Sequence, residues 1–179
     1  FATTWTGALS ENWSTGGNWL GGFEPGWTDL ADFEDASPTV RTAVHLDSAR
    51  VIGGMKVANL TCTFTRSAPA SLSISGSLQL TDTGRADFNG FQAAAGTITT
   101  SAASLLSLNA GSTFSAANVT MNDASRLTVN GSSLDVTYGM AVNGGTFDLA
   151  GGVLNVDYLE AAGNSPAIFN IDSPGTAII

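Results

Sequence analysis

The stretch Ala86-Asp87-Phe88-Asn89-Gly90 decides the fold, because altered copies of it return through the rest of the chain. They read Leu106-Ser107-Leu108-Asn109-Ala110-Gly111, Leu127-Thr128-Val129-Asn130-Gly131, Phe147-Asp148-Leu149-Ala150-Gly151 and Phe169-Asn170-Ile171-Asp172-Ser173. Each sets an apolar, variable, apolar triplet ahead of a turn built on Asn, Asp, Ala, Ser or Gly. The steps between triplets are 20, 21, 20 and 22 residues. A regular step of this length means one coil of chain laid on the coil before it.

Upstream the same grammar holds in looser form. Val44-His45-Leu46, Val51 to Val57, Leu60-Thr61-Cys62-Thr63-Phe64 and Leu72 to Leu80 alternate apolar and polar residues and are split by Gly or polar pairs. Such runs predict strands of three to five residues. The Ala-rich piece Phe91 to Gly96 is too brief for a helix, and Ala161 to Pro166 reads as a loop. The expectation is an all-β parallel β-helix (β-solenoid) with about 20 residues per coil. About seven coils over residues 39–179 would make a rod roughly 35 Å long at ~4.8 Å per coil.

Residues 1–38 differ. They hold all four tryptophans, Trp5, Trp13, Trp19 and Trp27, and six of the fifteen acids with no Lys or Arg. Gly and Asn turns are dense here and helical periodicity is absent. This Trp-rich N-terminal segment reads as a cap or assembly segment with the indoles as its core.

Composition narrows the function. Of 179 residues 43% are hydrophobic and only 12% charged, so the chain buries a core of many small side chains. The net charge is −9, with one lysine, Lys56, and five arginines. That argues against nucleic acid and against anionic membranes, which need clustered Lys or Arg. No run reaches the ~18 apolar residues of a membrane helix, so no membrane insertion is expected. The chain starts at Phe1 without a leader pattern, as a secreted chain does after signal-peptide removal. An extracellular or cell-surface location is the expectation.

The opening Trp5-Thr6-Gly7, Asn12-Trp13-Ser14, Asn18-Trp19, Pro25-Gly26, Asp29 and Ala31-Asp32-Phe33 is followed by Val44 to Gly54. Together these resemble large secreted bacterial proteins that carry autotransporter-associated β-strand repeats or end in a cell-surface sorting signal. The likeness covers about residues 5–60 in motif and the remainder in repeat style. It implies a right-handed parallel β-solenoid of the cell envelope, and it supplies no catalytic residues.

Chemistry is sparse. His45 is the only histidine, with no Ser-His-Asp or Cys-His set around it, and reads as structural. Cys62, the only cysteine, alternates with threonines and reads as a small buried hydrophobe. Asp29, Asp32, Glu34 and Asp35 are weak calcium candidates, since carboxylates within seven residues suit a hard cation. They lack a known calcium spacing, and a solvated turn is the favoured reading. Asp82, Asp87, Asp123, Asp135, Asp148 and Asp157 fall at differing phases of the coil, which gives no paired carboxylates. No cofactor and no enzymatic activity are expected.

The ends carry the functional expectation. A solenoid end exposes unpaired backbone groups and apolar core. Phe1, Ala2, Thr3, Thr4 and Trp5 form a β-prone start, and the chain finishes on Ala177, Ile178 and Ile179. These predict a structural subunit of an extracellular filament, polymerising head-to-tail with itself through open ends, with strand donation by the first residues. The alternative is a carbohydrate-binding or adhesin module in which the tryptophans form a platform for extracellular glycans.

Overall fold

The computed structural model of the chain describes residues 1–34, 40–163, 166–172 and 175–179. Asp35, the boundary expected at residue 38, part of the loop expected before Pro166, and Ser173 and Pro174 lie outside the described residues.

The fold is all-β, a β-solenoid of about seven turns with about 21 residues per turn. Every named strand pairing is parallel. One sheet runs Ala2–Thr4, Leu30–Glu34, Gly54–Ala58, Leu72–Thr81, Gln92–Thr100, Thr113–Asn122, Ser133–Asn143, Val153–Val156, Thr176–Ile178. Arg50–Ile52 and Leu159–Ala161 pair beside that path. The opposing sheet runs Ala43–Leu46, Thr61–Arg66, Arg85–Asn89, Leu105–Asn109, Arg126–Asn130, Gly145–Ala150, Ala167–Asp172. From Gly54–Ala58 to Val153–Val156 consecutive strands alternate between the two sheets, and each coil there pairs with the coil before and after it.

The repeated triplets meet in register. Phe88, Leu108, Val129, Leu149 and Ile171 are rung neighbours, as are Ala86, Leu106, Leu127, Phe147 and Phe169. Period-two alternation then turns Asp87, Ser107, Thr128, Asp148 and Asn170 outward. Of the residues that follow, Asn89 pairs with Asn109 and Asn130 with Ala150. Next comes a left-handed glycine, with φ of 59° at Gly90 and Gly131 and 65° at Gly151. Only glycine takes this conformation without a Cβ penalty, so each coil turns at the same point.

Two features depart from the reading of the sequence. The strands of the first sheet reach 10 and 11 residues rather than three to five. Leu72–Thr81 was legible as two pieces split at Gly76, yet hydrogen bonding continues through the bend, where Gly76 N–H donates to Gly53 O at 2.8 Å. A register shift between Ile74 and Ser77 absorbs the change of direction. The opposite corner is made by left-handed Asn59, Asp82, Ala102 and Asp123, with φ of 54–56°.

The core is one continuous column. Phe33, Phe64, Phe88 and Phe114 succeed one another along it, with ring centroids 5.2, 4.6 and 4.8 Å apart. Two serines that enter the column bond to its backbone. Ser112 Oγ donates to Phe88 O at 2.9 Å, and Ser132 Oγ donates to Leu108 O at 2.7 Å.

Candidate functional site

The expected site residues lie at the two ends of the column. At the N-terminal end, Ala2–Thr4 is the first rung of the longer sheet, paired with Leu30, Ala31 and Asp32. Leu30 N–H donates to Phe1 O at 2.7 Å, and Trp5 N–H donates to Asp32 O at 2.8 Å. Its outer edge is occupied in part, because Leu20 N–H donates to Thr4 O and Thr6 N–H to Asn18 O. Ala2–Thr4 is thus paired along one edge within its own chain and remains the edge strand of the longer sheet.

Residues 5–20 close this end as a lid. Trp5, Trp13 and Trp19 are buried over Phe33, with Trp19 meeting Trp5 at 5.0 Å and Trp13 at 4.8 Å in edge-to-face pairs. Trp5 Nε1 donates to Arg41 O and Trp19 Nε1 to Trp13 O. Asn18, fully buried, ties the loop together: its Oδ1 accepts from the N–H groups of Leu9 and Ser10, and its Nδ2 donates to Ser10 Oγ and Asn12 O. Gly7 takes φ of 55°, and a Cβ there would lie 2.7 Å from Arg41 Cβ. The Trp-Thr-Gly and Asn-Trp motifs are thus the wiring of a lid. Trp27 departs from the expected four-indole core, being 73% exposed.

The lid is latched to the first coil. Glu11 O accepts from His45 N–H, and Trp13 N–H donates to His45 O. Ser14 donates from both its backbone N–H and its hydroxyl to the Asp47 carboxylate. Burial works to raise the Asp47 carboxyl, but the Ser14 bonds and the Arg50 charge outweigh it and leave it below the ordinary 3.8. Asp29 is also held low, first by the Gly26 N–H and then by the N-terminal ammonium. Stability from these two groups is present above pH 3.8 and is lost as pH falls through their depressed values. Asp32, raised by burial against the pull of Lys56, works in the opposite sense. In an acid titration the tryptophan emission is expected to shift red below pH 3.8, and Asp47→Asn is expected to flatten that limb. An unchanged profile in the variant would remove Asp47 from the latch.

At the other end nothing equivalent covers the column among the described residues. Ile171 continues the inward row of Leu149 yet is 55% exposed. Phe169 and Ala177 are half-buried, and Ile168, Ile178 and Ile179 are exposed. Leu9, Leu20, Phe23 and Trp27, on the lid and the chain leading from it, are exposed as well. Among the described residues thirteen large apolar side chains are exposed. Phe1 with these four makes five in residues 1–27, and Val153, Tyr158 and the four isoleucines make six in residues 153–179. Of these the sequence marks only Phe1, Ile178 and Ile179 as end residues, and it places Trp27 and Ile171 in a core. The others are invisible there, because an unpaired Leu or Ile in a turn-rich stretch reads the same as a core residue.

The remaining candidates are placed plainly. Asp29, Asp32 and Glu34 are not gathered: Asp29 holds Gly26 and Phe1, and Glu34 pairs with Lys56 at 3.0 Å. Among the described residues no group of three or more His, Cys, Asp or Glu is placed to hold a metal. His45 shares hydrogen bonds of 2.9 Å with Thr65 Oγ1 and Ser67 Oγ. The later acids are more orderly than their spacing suggested. Asp82 and Asp123 share the left-handed corner, while Asp87 and Asp148 share the outward row. Asp148 is clamped by Arg126 Nε at 2.5 Å and Asn170 Nδ2 at 2.6 Å.

Cys62 is fully buried, and burial pushes its thiol up to about 12. The thiolate is the reactive form, so the native protein is expected to resist a thiol reagent at pH 8 and to label once unfolded in urea. The neutral thiol favours the fold below pH 9, and that contribution declines between pH 9 and 12. Rapid native labelling would contradict this placement.

No protein-family model matches the chain, and neither a curated protein nor a solved structure does.

Proposed function

We propose that this chain is a structural subunit of an extracellular assembly, built by stacking the lid of one copy on the open coil of the next. The observation that carries the proposal is the concentration of exposed large apolar side chains in residues 1–27 and 153–179, with only Val51 and Tyr138 exposed between those stretches among the described residues. Contiguous apolar surface on a soluble protein marks an interaction site. The two ends differ in structure, so the contact is heterologous and need not close on itself. The strand Ala2–Thr4 lies at the edge of the longer sheet on this end, and strand pairing there by the neighbouring copy would add to the apolar contact. An acidic chain with a single lysine, and an opening that resembles secreted envelope proteins, support the extracellular setting.

Sedimentation velocity across a concentration series tests the proposal. The expected result is a weight-average mass that climbs steadily with concentration without a plateau at the dimer. A constant monomer mass would reject it.

A further inference from the structure

The side of the solenoid carries a feature that end-to-end stacking leaves unused. Between the ends the exposed aromatic side chains among the described residues are Tyr138 and Tyr158, 65% and 58% exposed. The pairing of Met140 with Leu159 sets Gly139 opposite Tyr158 on the next coil. Tyr138 precedes Gly139, so the two tyrosine Cα atoms lie about 6 Å apart, one rung and one residue away. The Tyr158 ring lies beside Gly139, its Cδ1 3.7 Å from where a Gly139 Cβ would be, an ordinary packing distance.

Beside that ring is a surface notch of about 260 Å³, lined by Asn118, Thr120, Gly139, Ala141, Tyr158 and Glu160 among others. It combines an aromatic wall with an amide, a hydroxyl and a carboxylate, a set that both donates and accepts. We propose that this notch is a subsite for one ring of a neutral hexopyranose chain. The apolar C–H face of the sugar packs on Tyr158, and its hydroxyls bond to Asn118, Thr120 and Glu160. Tyr138 extends the aromatic surface towards the neighbouring sugar unit. An apolar wall with a few placed polar groups is how small-ligand sites fix orientation. The sign of the charge selects the class. No Lys or Arg lines the notch, and Glu160 on a chain of net charge −9 repels uronic acids and sialic acids.

Affinity electrophoresis of the full chain tests this, in native gels cast with laminarin, hydroxyethyl cellulose or galactomannan against a plain gel. At least one polysaccharide is expected to retard the protein. Tyr158→Ala is expected to abolish the retardation, Tyr158→Phe to keep it, and Val51→Ala, exposed on an early coil and remote from the notch in sequence, to leave it unchanged. Should Tyr158→Ala fail to fold, the Asn118→Ala, Thr120→Ala double variant serves, and it is expected to weaken retardation. Free migration in all three gels, or equal retardation of parent and folded site variants, overturns the proposal. The end-to-end reading is untouched either way, because its readout is mass against concentration.

Discussion

Phe88→Ala is expected to cost about 3–5 kcal/mol, the usual range for emptying a buried phenylalanine site. Phe88 is fully buried and stacks on Phe64 at 4.6 Å, with Phe91 at 5.1 Å and Phe114 at 4.8 Å. Two of these neighbours belong to the coils before and after it, and they are fixed by the backbone ladders on either side. The column therefore has little freedom to collapse into the hole. A loss of this size is a large part of the ~5–15 kcal/mol that stabilises an ordinary domain. Each coil touches only its neighbours, so damage in the middle also uncouples the two halves. Urea unfolding followed in parallel by tryptophan emission and by far-ultraviolet circular dichroism checks both points. The buried indoles report the first coils, whereas dichroism reports all of them. Coincident midpoints in the parent and separated midpoints in the variant are expected. A shift of under 1 kcal/mol with coincident curves would show that the rings do not hold the coils together.

The second large effect concerns assembly. Replacing Ile171 and Ile178 together by Lys is expected to abolish mass growth while leaving the monomer folded. Both side chains are more than half exposed, so the charges cost the isolated fold little. In the stacked contact the same charges would be buried without partners, which is prohibitive. Leu20→Lys on the lid is expected to do the same from the other side. A mixture of the two variants then discriminates the geometry. Each retains one intact end of opposite kind, so the mixture is expected to stop at a dimer. A Leu20→Lys protein that dimerises alone would instead point to two open coils meeting face to face, and the head-to-tail reading would fall.

How much of this was written in the sequence follows from where the constraint is local. The triplets at Ala86, Leu106, Leu127, Phe147 and Phe169 fixed coil length and register, because rung neighbours must be apolar at every level. Asn-Gly and Ala-Gly at constant phase marked one corner. The bend near Gly76 looks like a strand break in the sequence, since a glycine between alternating runs reads the same whether or not the ladder continues through it. The lid was harder. Its order depends on Asn18 reaching Leu9, Ser10 and Asn12, and on Trp13 reaching His45, contacts that no periodicity announces. For the same reason Trp27 looks like a core residue in the sequence. The notch at Tyr158 depends on Gly139 one coil away, which only the register of the coils brings together.

Electron microscopy of the purified chain over a range of concentrations bears most directly on the stacking of coils from copy to copy. The expected images show unbranched fibres one solenoid wide, with an axial repeat of roughly 35–40 Å, the height of seven coils and a lid. Separate short particles at every concentration, with no end-to-end contacts, would contradict it.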